Sequence, residues 1–105
     1  MKQITDAEEL SALTKADSTH VFFFTAGWCS DCAFIKPRMP EIEAEHPALD
    51  FVEVDRDANM DLAIDWGIMG IPSFVVMENG EEKARLVNKL RKTKEEVNAF
   101  LETVQ

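Results

Sequence analysis

"VFFFTAGWCSDCAFIKP", residues 21–37, is the stretch that decides the fold of this chain. Its consecutive large apolar residues predict a strand, "HVFFFT" over residues 20–25, that is buried on both faces. The run ends at a glycine and a tryptophan, and the only two cysteines of the chain, Cys29 and Cys32, follow directly. Both thiols therefore lie where a buried strand gives way to the next element.

A helix is predicted after the cysteines, because Ile35, Met39 and Ile42 recur at helical spacing. Pro37 is expected to interrupt it, since a proline removes a backbone hydrogen bond from a helix. Cys29 then lies at the helix N-terminus and Cys32 one turn inside. The helix dipole and the free N–H groups of the first turn favour a thiolate at Cys29, while Cys32 stays shielded and protonated.

This asymmetry suits thiol–disulfide exchange, in which Cys29 attacks a substrate disulfide and Cys32 resolves the mixed disulfide. Two cysteines can also be inert core residues or half of a zinc site. A zinc site needs further ligands, and His20 and His46 stand far from the pair without ligand spacing. In an intracellular protein, C-x-x-C between a strand and a helix indicates redox chemistry.

The remaining elements predict an α/β fold: a mixed sheet with helices on both faces. Capping boxes at "TDAE", residues 5–8, and "TKEE", residues 93–96, begin the first and last helices. "LDFVEVD" reads as a strand, and Asp57 is the predicted cap of a helix that ends at Gly67. Asn79-Gly80 joins two strands in a hairpin. The predicted order is helix, strand, helix, strand, helix, hairpin, helix.

Length and composition fit one domain over residues 1–105. The net charge of −9 argues against nucleic acid as a partner. The polar, acidic start "MKQITDAEEL" lacks the apolar segment of an export signal, and no apolar run is long enough to cross a bilayer. The expected location is the cytoplasm, where thiols are kept reduced.

These residues resemble the thioredoxin family. The resemblance rests on "WC..C", on Pro37 eight residues after Cys29, and on "GIMGIPSFVVMENGE", residues 67–81; it covers essentially the whole chain. It implies a thioredoxin fold and a cis peptide before Pro72 that faces the cysteines. It also implies a substrate-binding groove around Cys29, formed by Trp28, Met69, Gly70, Ile71 and Pro72.

The same resemblance implies a disulfide reductase that acts on protein substrates, and a monomer is expected. Its redox group is the Cys29–Cys32 disulfide, with no other cofactor and no metal. A thioredoxin-reductase-type protein or a low-molecular-weight thiol is implied as its reductant, and no membrane partner is expected.

The sequence departs from the family pattern in three places. The familiar "WCGPC" is "WCSDC" here, so that Asp31 lies between the cysteines. Thioredoxins carry a buried Asp six residues before the first cysteine, and this position is Phe23. A glycine eight residues after the hairpin glycine is replaced by Asn88, which is expected to narrow or repolarise the groove.

Two hypotheses follow from the acidic residues. Asp31 disfavours the thiolates through like-charge repulsion, which moves the redox couple toward its reducing end. Alternatively, Asp31 or Glu53 of the neighbouring strand replaces the missing acid as proton acceptor for Cys32. The competing interpretation is that both are exposed acids and that water takes the proton.

The sequence is compatible with three functions. The leading one is a protein-disulfide reductase. A binding or scaffold module with little turnover is the second, because Phe23 removes a catalytic group. The third is metal or iron–sulfur binding through the cysteines of a dimer.

Overall fold

The computed structural model describes residues 1–4 and 6–104, with backbone alone at Ala7. Its strands are β1 (Lys2–Ile4), β2 (His20–Thr25), β3 (Asp50–Asp55), β4 (Ser73–Glu78) and β5 (Glu81–Leu86). Its helices are α1 (Ala7–Thr14), α2 (Ser30–Ile35), α3 (Met39–Glu45), α4 (Met60–Asp65) and α5 (Lys94–Glu102). A 3₁₀ turn, Lys36–Arg38, joins α2 to α3.

The five strands form one mixed sheet in the order β1-β3-β2-β4-β5. Strands β1, β3 and β2 are parallel, whereas β4 is antiparallel to β2 and β5 is antiparallel to β4. Strand β2 lies at the centre, and all six of its residues are buried. The predicted α/β fold with a mixed sheet is confirmed.

Alternation along β2 divides the core into two layers. Phe22 and Phe24 pack in the layer that includes Leu10 of α1 and Ala63 of α4. The other layer holds the intervening β2 residues Val21 and Phe23, and residues of α2, α3 and α5 pack there: Ile35, Met39, Ile42, Val97 and Leu101. Successive side chains of a strand point to opposite faces, so a continuous apolar run covers both sides of the sheet.

The start of the chain differs from the prediction. Strand β1 was not predicted, since three residues with Ile4 alone buried give no measurable alternation. The capping box placed the N-cap of α1 at Thr5, which lies outside the described residues. In the structure Asp6 is the N-cap, and its carboxylate accepts a hydrogen bond from the Glu8 N–H.

The predicted cap at Asp57 is wrong. Helix α4 begins at Met60 behind Asn59, whose side chain makes no capping hydrogen bond. The Asp55 carboxylate instead accepts from the N–H groups of Asp57 and Ala58 and shapes the turn after β3. Gly67, with φ of 68°, follows the end of α4 as predicted.

Three other local predictions are confirmed. Thr93 caps α5 by accepting from the Glu96 N–H at 3.2 Å. Asn79 and Gly80 have φ of 53° and 79°, the left-handed values that a type I′ hairpin requires. The helix after the cysteines is interrupted at Pro37, which lies in the 3₁₀ turn. No helix in the described part of the chain combines the length and the apolarity needed to cross a bilayer.

Candidate active site

Cys29 is the N-cap residue of α2. Its backbone is extended, with φ −84° and ψ 112°, and its Sγ accepts a hydrogen bond from the Cys32 N–H at 3.1 Å. A sulfur at a helix N-terminus faces free N–H groups and the positive end of the helix dipole, which stabilise negative charge. The geometry expected from the strand–cysteine–helix order is therefore present.

Cys32 lies behind Cys29, one turn inside α2. The exposed fractions are 7% for Cys29 and 1% for Cys32, and both thiols are free. Burial, with a further contribution from the hydrogen bond to Cys29, raises the pKa of Cys32 to about 11, whereas hydrogen bonds from the Thr25 side chain and the Ala26 backbone act to lower it. Cys32 thus keeps its proton at neutral pH.

The loop before β4 closes the site opposite the cysteines. The peptide bond between Ile71 and Pro72 is cis, as the resemblance implied. The Cys29 thiol donates to the Ile71 carbonyl, with 3.8 Å between Sγ and oxygen. Pro72 itself is buried.

An open groove of about 430 Å³ surrounds Cys29. Its walls include every residue predicted for it other than Pro72, and three charged residues contribute as well; the complete lining is Trp28, Cys29, Ser30, Asp31, Arg56, Met69, Gly70, Ile71 and Lys89. Trp28 and Met69 are 65% and 78% exposed, so large apolar surface faces the solvent beside the thiol. Such a surface fits an apolar segment of a partner.

The Trp28 ring is fixed by residues that follow β3. Its Nε1 donates to the Asp57 carboxylate at 2.7 Å, and the Arg56 guanidinium lies over the ring, 5.2 Å from its centroid. Arg56 and Asp57 also pair with each other at 3.2 Å. Asp57 therefore orients the groove wall, and its carboxylate does not cap α4.

Asp31 lies at the rim of the groove and is paired. Arg91, from the loop after β5, donates from Nε to Asp31 Oδ1 at 3.0 Å. The same guanidinium lies 4.4 Å from the centroid of the Phe34 ring. The positive charge of Arg91 opposes the repulsion that Asp31 was expected to exert on the thiolates, and a role of Asp31 in tuning or proton transfer stays a prediction.

The Glu53 carboxylate is bound by two other side chains. It pairs with Lys36 at 3.1 Å and accepts from Gln3 at 3.5 Å. Among the residues that the structure describes, no hydrogen bond joins Glu53 to Cys32. The structure therefore gives no support to Glu53 as proton acceptor, whereas the Thr25 side chain acts to lower the pKa of the Cys32 thiol.

Phe23 occupies the place of the family's buried acid as a core residue. It is fully buried and its ring stacks on Phe74, with centroids 5.0 Å apart and an interplanar angle of 13°. An ionised carboxylate at this position would be surrounded by apolar side chains.

Asn88 lies beside the groove residue Gly70, and its expected effect on the groove stays a prediction. Its side-chain oxygen accepts from Lys92 at 2.8 Å and from the Leu90 N–H at 2.9 Å, so the side chain turns into its own loop. Its backbone carbonyl abuts Gly70, where an added Cβ would lie 2.6 Å from the Asn88 oxygen. Lys89, and not Asn88, lines the groove.

Neither histidine approaches the cysteines to form a metal site. His20 Nδ1 is 3.1 Å from the Ser18 carbonyl, and His46 Nε2 is 3.0 Å from the Asn98 side-chain oxygen. Over residues 1–4 and 6–104, no three His, Cys, Asp or Glu side chains are grouped so that they could hold a metal ion.

Comparison with known proteins gives one consistent result. The family model described as Thioredoxin matches residues 1–103. A thioredoxin of Mycoplasma genitalium is 32% identical over 92 residues, which cover 88% of this chain and 90% of that protein. A TPR repeat-containing thioredoxin of Arabidopsis thaliana is 32% identical over 88 residues, and there the chain spans 23% of the longer relative. The crystal structure of a thioredoxin from Trypanosoma brucei brucei superposes with a TM-score of 0.86 at 22% identity, covering 97% of this chain and 88% of that one.

Proposed function

This chain belongs to the thioredoxin family of thiol–disulfide oxidoreductases, and on that premise we propose that it reduces protein disulfides through Cys29 and Cys32. One observation supports this most directly: the Cys29 sulfur accepts the Cys32 N–H at a helix N-terminus, beside an open groove, while the Cys32 thiol lies behind it. One sulfur can then reach a substrate while the other waits within the same turn.

The reaction has two exchanges. The Cys29 thiolate attacks one sulfur of a substrate disulfide, the substrate S–S bond breaks, and its second sulfur leaves as a thiolate that takes up a proton. Cys32 then loses its proton and attacks the Cys29 sulfur, which breaks the mixed disulfide and releases the other substrate thiolate. Two electrons pass to the substrate, and the protein is left with a Cys29–Cys32 disulfide.

Substrate binding is assigned to the groove. An extended peptide beside the Ile71 backbone can add main-chain hydrogen bonds, since free backbone groups at such an edge pair with extended segments. Trp28 and Met69 offer apolar contacts on either side of Cys29. Gly70 allows the chain of the neighbouring loop to approach the groove wall closely.

We further propose a thioredoxin-reductase-type protein or a low-molecular-weight thiol as the source of electrons. The redox-active group is the Cys29–Cys32 disulfide itself, and no other cofactor is proposed. The cytoplasm is the proposed compartment, because its reductants keep such a pair in the dithiol form. A monomer suffices, since one chain supplies both sulfurs.

Insulin disulfide reduction tests the proposal, with wild type, Cys29→Ser and Cys32→Ser compared at equal concentration. Wild type is expected to turn over, Cys29→Ser to be inactive, and Cys32→Ser to accumulate a mixed disulfide that mass spectrometry detects. Far-UV circular dichroism checks that each variant is folded. A folded, fully reduced wild type without turnover would exclude the reductase, and metal analysis of the same sample tests the metal-binding alternative.

A further inference from the structure

Lys92 is a buried lysine beside the candidate site. Its exposed fraction is 1%, and its ammonium donates three hydrogen bonds to oxygens of its own loop. The acceptors are the Leu90 carbonyl at 2.7 Å, the Asn88 side-chain oxygen at 2.8 Å and the Asn88 carbonyl at 3.1 Å. Fully buried lysines are rare without a charged partner, and in the described residues no carboxylate lies within ion-pair distance of this one.

Four negative or ionisable groups act on this ammonium from the surrounding elements. Burial lowers the pKa of Lys92, whereas the charges of Glu96 on α5, Cys32, Asp31 on α2 and Cys29 act to raise it. Two of these four groups are the redox thiols. A coupling between two groups is reciprocal, so a charged Lys92 favours the thiolate as much as the thiolate favours the charged lysine.

The 88–92 loop that Lys92 ties together also forms part of the site. The Asn88 carbonyl, bonded to Lys92, packs against Gly70 so closely that any side chain at Gly70 would collide with it. Gly70 precedes Ile71, whose carbonyl accepts the Cys29 thiol. Lys92 therefore holds the Asn88 carbonyl against Gly70, and Gly70 precedes the residue whose carbonyl faces Cys29.

We propose that Lys92 is a positioning residue of the dithiol site: its ammonium fixes the 88–92 loop against Gly70 and supplies the buried positive charge that favours the thiolate of the Cys29–Cys32 pair. The proposal rests on the proposed function only in taking this pair as the redox pair. It also explains how a thiolate is stabilised at a site where Phe23 replaces the buried acid. In this proposal the positive charge of Lys92 favours the ionised sulfur from the adjoining loop.

The first test is the thiolate absorbance at 240 nm, titrated against pH in Lys92→Met, Lys92→Arg and Lys83→Met. Lys83 is exposed on β5, so its variant removes the same charge far from the site. Lys92→Met is expected to lower the thiolate fraction at neutral pH by about threefold or more, which corresponds to about half a pKa unit. Lys92→Arg, which keeps the charge, is expected to stay near wild type, as is Lys83→Met.

A folded Lys92→Met that titrates like wild type would overturn the proposal, as would an equal shift in Lys83→Met. If Lys92→Met does not fold, the wild-type protein supplies the second test. The Lys92 Nζ resonance is followed by NMR against pH in the reduced and the oxidised protein. The lysine pKa is expected to be higher in the reduced form, where a thiolate is present, and identical titrations would contradict the coupling.

Both measurements use the protein without substrate, so they separate this proposal from the proposed function. Loss of insulin reduction with intact coupling would reject the reductase and leave the role of Lys92 standing. Cys29-dependent turnover without this coupling would support the reductase and reject the role of Lys92.

Discussion

The Arg91 guanidinium binds the Asp31 carboxylate across 60 residues of sequence, with 3.0 Å between Nε and Oδ1. The carboxylate between the two cysteines is therefore paired with a cation. Both side chains are partly exposed, 33% for Asp31 and 53% for Arg91, so solvent screens the pair and its energy is about 0.2–1 kcal/mol. Even so, this pairing changes the expected effect of Asp31 on the thiols.

Arg91→Met is expected to leave the Asp31 charge unopposed beside the sulfurs. The pH midpoint of thiolate formation should rise, because a like charge disfavours ionisation. Asp31→Asn should shift the midpoint the opposite way, and the double variant should return close to wild type. Titration of absorbance at 240 nm checks all four proteins. An Arg91→Met midpoint equal to that of wild type, with the protein folded, would show that Asp31 does not act on the thiols.

Thr25→Val is expected to slow the second exchange. The Thr25 hydrogen bond acts to lower the pKa of Cys32, so its loss should move that pKa above its value of about 11 and reduce the Cys32 thiolate at neutral pH. A lost hydrogen bond of about 0.5–1.5 kcal/mol predicts a rate about 2–10-fold lower. Rapid-quench measurement of mixed-disulfide release gives this rate directly.

Two further variants serve as controls for the Thr25→Val experiment. Thr25→Ser keeps the hydroxyl and should release substrate at nearly the wild-type rate. Glu53→Gln tests the competing acceptor; because Glu53 is bound by Lys36 and makes no described hydrogen bond to Cys32, its release rate should be unchanged. Slow release in Glu53→Gln with normal release in Thr25→Val would reverse the assignment.

The parts of the site that sequence predicts are those that local rules determine. The apolar run of β2, the position of Cys29 at a helix start and the Asn79-Gly80 turn each depend on neighbouring residues, and each prediction is confirmed. Asp57 shows where local rules fail: a carboxylate near a helix start can cap it, but here the Trp28 N–H takes that carboxylate. Competition of this kind depends on tertiary contacts.

The roles of Arg91 and Lys92 could not be predicted from the sequence, because they also depend on tertiary contacts. Both residues lie in a loop that carries no periodic pattern, and the partner of Arg91, Asp31, is 60 residues earlier. The substitution at Phe23 could be read from the resemblance, but its consequence depends on the stacked ring of Phe74. Side-chain pairing over such separations follows from the completed fold and not from spacing.

The stability of the reduced protein is expected to fall in alkaline solution because of Cys32. Its pKa rises on folding from 9.0 to about 11, so the unfolded chain ionises first, and stability is lost as the pH rises from about 9 toward about 11. The full loss is about 2–3 kcal/mol, from a shift of about two pKa units. Urea unfolding under reducing conditions at a series of pH values measures it.

Cys32→Ser is the control for this loss, since it lacks the thiol and keeps the lysines that titrate in the same range. The difference in unfolding free energy between reduced wild type and Cys32→Ser should shrink across the interval. Parallel curves for the two proteins from about pH 8 to 11 would contradict the raised pKa of Cys32.

Lys89 gives the groove a positive charge on a protein whose net charge is −9. The other two charged residues that line the groove are paired: Asp31 with Arg91, and Arg56 with Asp57. Lys89 is exposed, and the ion pairs found among the described residues do not include it. We therefore expect disulfides flanked by acidic residues to react faster than those flanked by basic ones, because complementary charge raises the association rate.

Lys89→Glu is expected to lower kcat/KM for an acidic disulfide peptide by about 3–10-fold at low salt and to raise it for a basic peptide of the same length. The preference should weaken as salt is added, since screening shortens the range of the charges. Lys83→Glu changes the net charge equally but lies on β5, and it should alter both substrates little. Equal effects of the two variants would assign the preference to the overall charge of the protein, and an unchanged ratio of the two peptides in Lys89→Glu would remove Lys89 from substrate selection.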